Sequence, residues 1–181
     1  MKKIIDNILK GWGNVAFLLL VADFSHPTFA QSFPRPTLAH FNKGAKFKVE
    51  GCKPESPLNG FPVLVRVSED FPKGFSYDDL KFKSTGDDIV FINIDGNALP
   101  FEIDTWNPEG ESLIWVRLPL MKYGTEFVMC WGSETSGKSI CSDNPFAGYY
   151  GVWHMNDAAA KDSSINGLDC TPDGTVAAVD A

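Results

Sequence analysis

From Phe61 to Val67 an apolar side chain falls at every second position, with Phe61, Val63, Val65 and Val67 on one face and Arg66 and Ser68 on the other. A period of two marks a β-strand with one buried face and argues against an amphipathic helix over the same residues. Five further stretches read as strands: Lys46–Cys52, Ile89–Ile94, Leu99–Thr105, Ser112–Leu118 and Thr125–Trp131. Turn formers separate them. The 16 Gly, 12 Pro, 14 Phe and 5 Trp among 181 residues suit strands joined by turns better than a helical bundle.

Two connections can be read more finely. Asp95-Gly96-Asn97 lies between apolar runs and predicts a hairpin, since Gly and Asn accept the positive φ of tight turns. Asn107-Pro108-Glu109-Gly110 predicts a second turn. As a four-residue loop it sets Trp106 opposite Glu111, Ile103 opposite Ile114 and Phe101 opposite Val116. With Leu118 opposite Thr125 across the next loop, four antiparallel strands share one apolar face. That face holds Val90, Ile92, Leu99, Phe101, Ile103, Ile114, Val116, Phe127 and Met129.

The other face carries Glu102, Arg117 and Glu126 on three neighbouring strands, an acid–base–acid ladder. Glu102 and Asp104 can also be read as paired catalytic carboxylates, but an alternating strand sends polar groups to solvent by default, which favours a solvated face. Pro100 lacks an N–H and fits beside a bulge or an edge. An apolar sheet face needs a cover, which Lys46–Cys52 and Phe61–Ser68 are expected to supply. The expected fold class is all-β, an antiparallel two-sheet sandwich.

The N-terminus has its own layout. Lys2, Lys3 and Lys10 flank an uncharged run from Gly11 to Ala22, and a more polar stretch ends at Thr28-Phe29-Ala30. This is the pattern of a secretory signal peptide over residues 1–30, cut between Ala30 and Gln31. The run is shorter than the roughly 20 apolar residues of a spanning helix, so no membrane span is expected after cleavage. The cut removes three Lys and two Asp and moves the net charge from −7 to −8. Such an acidic balance argues against nucleic acid as a partner, because phosphate binding needs a basic patch.

All four cysteines, Cys52, Cys130, Cys141 and Cys170, lie beyond the cut. In an exported chain they permit disulfides, with three connectivities; buried free thiols are the alternative. Their spacing matches no zinc site, and His154 reads as a strand residue rather than a ligand. The acidic pairs Glu69-Asp70, Asp78-Asp79 and Asp87-Asp88 lack the ligand spacing of an EF-hand loop and read as solvated turns. Neither a metal nor a cofactor is expected.

Several stretches carry a resemblance: Asn59–Asp70 (NGFPVLVRVSED), Gly74–Asp79 (GFSYDD), Asp95–Trp106 (DGNALPFEIDTW), Gly110–Arg117 (GESLIWVR) and Met129–Gly132 (MCWG). In this order they resemble the bacterial family known as domain of unknown function 2341, over residues 45–134. The resemblance implies a β-sandwich from exported, often multidomain proteins, with no established catalytic residues. Cys130 stands where the family usually has an aromatic residue and Cys52 where it tends to have Tyr, which makes Cys52–Cys130 the candidate disulfide. Residues 31–44 are then a lead-in and 135–147 a linker. Tyr149–Asn156 (YYGVWHMN) and Asp162–Asp169 (DSSINGLD) resemble the opening of a laminin-G or concanavalin-A-like lectin domain, which residues 148–181 are too few to complete.

Three functions follow from this reading. The first is a secreted, periplasmic or cell-surface module that is not an enzyme and binds glycan or mediates adhesion, with Trp106 and Trp115 as candidate glycan contacts. The second is a structural spacer with an envelope protein as partner, since some members of the family precede proton-channel proteins of the TolQ/ExbB type. The third is a piece of a glycan-active enzyme, whose carboxylate pair would lie on the incomplete domain. No G-x-S-x-G, phosphate-loop or H-E-x-x-H motif is present.

Overall fold

The computed structural model describes residues 19–23, 41, 43–51, 57–134, 143–155 and 160–171. Its strands are β1 (Leu19–Asp23), β2 (Lys43–Glu50), β3 (Leu58–Ser68), β4 (Val90–Asn93), β5 (Ala98–Leu99), β6 (Phe101–Thr105), β7 (Glu111–Met121) and β8 (Glu126–Trp131). They form two antiparallel sheets, one ordered β1-β2-β8-β4-β5 and the other β3-β7-β6. The fold is therefore the all-β two-sheet sandwich that the alternation predicts. Ala30 and Gln31 lie outside the described residues, whereas Leu19–Asp23, from within the expected leader, pairs with β2.

The period-two pattern of β3 buries Val63, Val65 and Val67, with Phe61 left partly exposed near the strand's start. These valines meet Ile114, Val116 and Leu118 of β7 and, from the other sheet, Phe47, Phe91, Phe127 and Met129 in one core. Phe47 and Phe127 face each other in register and stack at 5.3 Å. Two loops are tied into this core. Tyr77 donates to the Val67 carbonyl at 3.0 Å and shares a hydrogen bond with Ser112 at 2.8 Å. Asp88, fully buried, accepts from the amides of Lys81 and Phe82, so it is a loop-closing acceptor rather than part of a solvated turn.

Several expectations of strand pairing are corrected. The run Leu99–Thr105 is not one strand: β5 ends at Leu99 in one sheet and β6 begins at Phe101 in the other. Pro100 is the corner. It brings no N–H to either ladder, while its carbonyl accepts from Arg117 N at 2.9 Å. Likewise Leu118 does not face Thr125, because β7 and β8 belong to different sheets. The turn after β7 is stitched to β2 instead, through Val49 N to Thr125 O and Gly124 N to Val49 O. The Phe61–Ser68 and Lys46–Cys52 candidates are also divided, β3 pairing with β7 and β2 with β8.

A further correction is one of parity. Val90 and Ile92 point away from the main core into a second cluster with Phe41, Val128 and Cys130, while Ile89 and Phe91 point inward. A two-residue Asp95-Gly96 turn would set Ile92 opposite Leu99. Here Asn93 Oδ1 accepts from the amides of both Asp95 and Asn97, closing a loop one residue longer. Phe91 then faces Leu99, and every side chain of the strand changes face. At the other hairpin Ile103 faces Ile114 and Phe101 faces Val116 as expected, but a bulge at Asp104 sets Thr105 opposite Leu113 and removes the Trp106–Glu111 pairing.

Candidate functional site

The outward faces of β6 and β7 carry the most chemically loaded cluster among the described residues. Glu102 lies opposite Trp115, whose partner on the other side is Leu64 of β3. An isolated strand pair of this kind would leave carboxylate and indole in water. Here residues 143–155 and 160–171 lie across them. Phe146, placed in the linker by its sequence context, is buried, and its ring meets Trp115 edge-on at 6.0 Å. His154 stacks on Trp115 at 5.9 Å and contacts Phe146 at 5.4 Å.

The imidazole is held between two carboxylates. Nε2 lies 3.1 Å from Glu102 Oε1 and Nδ1 lies 4.0 Å from Asp104 Oδ2, with only 11% of the His154 side chain exposed. Both acids of β6, two positions apart on the strand, lie about the same ring. Ser163 Oγ donates to the same Glu102 oxygen at 2.7 Å. The expected Glu102–Arg117–Glu126 ladder does not form, because Glu126 sits in the other sheet and bridges to Lys46 at 3.4 Å.

This geometry fastens the covering segment to the sheet, with Ser163 Oγ and His154 Nε2 meeting at one oxygen of Glu102. The two acids approach opposite nitrogens of the ring, so the three groups do not converge on one point as metal ligands must. Among the described residues no group of three or more His, Cys, Asp or Glu is placed to hold a metal ion.

A second carboxylate organises the covering segment from within. Asp162 Oδ1 accepts from the amides of Val152 and Ser164, and Oδ2 from Leu168 N and Ser164 Oγ, each within 2.8 Å. Desolvation alone would raise its pKa; these donors outweigh it and hold the carboxyl well below the usual carboxylate range. Trp153 pairs with Asp162 through an isolated bridge and donates Nε1 to Leu168 O at 2.9 Å. A side chain on Gly151 would strike the Trp153 ring at 2.4 Å, so this ring is seated by a glycine. The outer surface of the segment shows Tyr150 at 81% exposure, Ile165 at 66%, and Tyr149 and Trp153 at 37% each.

The residues singled out by sequence are now placed. Trp106 donates Nε1 to Lys83 O at 2.7 Å, packs edge-on against Tyr77 and covers Gly86, where a Cβ would lie 2.7 Å from its ring. Trp115 has one face taken by His154. Neither indole is an open platform for a sugar, and the two lie in different neighbourhoods. Cys130 carries a free thiol, buried against Phe41, Val90, Ile92 and Val128, and burial pushes its pKa up to about 12. Its candidate partner Cys52 lies outside the described residues. Cys170 is a free and exposed thiol. Phe146 and Ser163 had no signal in the sequence, since neither belongs to a periodic pattern; their roles depend on which strands lie beneath them.

No helix among the described residues is long and apolar enough to cross a membrane. No family model, no curated protein and no solved structure matches this chain.

Proposed function

We propose that this chain is an exported, non-catalytic β-sandwich module that binds glycan or mediates adhesion at the cell surface or in the periplasm. The observation that carries this reading is the exposure of the apolar side chains Tyr149, Tyr150, Trp153 and Ile165 on a segment fastened to the sandwich. Apolar side chains grouped on a polar protein mark interaction surfaces, and aromatic rings stack on the apolar faces of sugars. Trp106 and Trp115 are not the contacts in this proposal; these exposed side chains take their place. The leader pattern of residues 1–30 and the resemblance to exported bacterial sandwich proteins point the same way.

The test is a glycan array probed with the secreted chain and with Tyr150→Ala and Trp153→Ala. Binding by the native chain that falls at least tenfold in either variant supports the reading, an expectation set by the roughly 1.4 kcal/mol scale of one lost aromatic contact. Silence on every glycan overturns it.

One observation favours a second reading, a structural spacer in an envelope assembly. The Trp115–His154–Glu102–Ser163 clamp gives the C-terminal segment a fixed seat on the sandwich, as a spacer holding its neighbour at a set angle requires. Co-purification of the chain with an envelope protein, together with silence on glycans, is the outcome that selects it.

A further inference from the structure

β2 is held on one side by β8 and on the other by β1. The β1 side is filled by Leu19–Asp23, pairing antiparallel from Leu19 opposite Glu50 to Asp23 opposite Lys46. Those five residues belong to the stretch read above as a removable leader. Without them β2 keeps its remaining anchors. Ala45, Phe47 and Val49 are buried in the core, Phe47 stacks on Phe127, and Val49 N donates to Thr125 O at 2.8 Å. A strand fixed on one side and bared on the other presents a row of unpaired N–H and C=O groups, the geometry that accepts a strand from another chain.

We propose that the outer edge of β2 is a strand-acceptor site: Leu19–Asp23 occupies it in the full chain, and after leader removal it receives an extended apolar segment of another polypeptide in the same antiparallel register. The register specifies the partner's chemistry. The positions opposite Val49 and Phe47, held here by Leu20 and Ala22, call for apolar residues because Val49 and Phe47 belong to the core. The position opposite Lys46, held by Asp23, calls for an acid. A second copy of β2 meets the apolar demand, with Phe47 opposite Phe47 and Ala45 opposite Val49, but not the demand for an acid. Centred on Phe47 it would set Lys46 opposite Lys48 and Lys48 opposite Lys46, like charges facing each other.

The proposal rests on the reading of residues 1–30 as a cleaved leader, and the experiment separates the two. The chain is expressed with its own N-terminus, its first residue is determined, and amide exchange is followed over Lys46–Glu50. The probe is a synthetic peptide spanning Phe17–Ser25 of this chain. If the chain starts at Gln31, the edge amides should exchange fast, and the peptide should slow them roughly tenfold or more. The same peptide carrying Val21→Pro, which removes a ladder N–H, should have no effect. Edge amides already protected in the processed chain, or untouched by the peptide, overturn the proposal. If the chain starts at Met1, the leader reading fails by itself. The acceptor site is then tested in the uncleaved chain, where Val21→Pro should speed the same amides roughly tenfold and unchanged exchange overturns it.

Discussion

At the scale of single residues, Glu102 has the most to lose. Its Oε1 serves both His154 Nε2 and Ser163 Oγ beneath the covering segment. Glu102→Ala leaves two part-buried polar groups without their acceptor, and we expect the segment to loosen by about 1–3 kcal/mol. Faster amide exchange at Val152, Ser164 and Leu168, with Val65 and Ile114 unchanged, is the readout; equal exchange in both proteins would place the clamp outside the energetics of docking. Asp162 sets the acid limit of the same segment. Its folded pKa lies below the ordinary value of 3.8, so its contribution is fully present above that value and is lost only as the pH falls through the depressed one. Exchange at the Val152 and Leu168 amides should therefore stay slow on acidification past pH 3.8, whereas Asp162→Asn should be loose at every pH. Cysteine chemistry splits in the same way. Cys170 should react with a thiol reagent at once at pH 8, and Cys130, buried and with its pKa pushed up to about 12, only as the protein unfolds.

At the scale of elements, two small features decide where strands go. Asn93 closes the β4–β5 loop by accepting from two amides. Asn93→Ala should lower stability by about 1–2 kcal/mol, measurable as a lowered denaturation midpoint, without a change of fold. Pro100 turns the chain from one sheet to the other, which no alternation pattern announces. The strand candidates were legible because β3, β6 and β7 alternate, and the Ile103–Ile114 and Phe101–Val116 pairs follow from the turn between them. Ile89–Ile92 was not legible, because a run that is apolar on both faces has no parity of its own. Its direction came from loop length, set by one asparagine side chain.

For the molecule as a whole, the large core and the covering segment are of unequal strength. The core includes fully buried Phe47, Phe91, Phe127 and Trp131, and Phe47→Ala should cost roughly 3–5 kcal/mol and lower the melting temperature of the entire chain. The segment is attached chiefly through Phe146, His154 and Ser163 on one sheet face, so it should open before the sandwich does. The sequence by itself determined the class of fold: alternation over a few residues forces one buried face, and two such faces must cover each other. It also marked where the two hairpin turns fall, since their backbone demands are local, but not the length of the loop after β4. Only the tertiary structure decided which sheet each strand joins, which way Ile89–Ile92 points, and that Glu102, Asp104, His154 and Ser163 meet on Trp115. Local patterns record how a residue stands on its own strand. The clamp joins side chains up to 61 positions apart, and such a meeting exists only once both faces of the sandwich have formed.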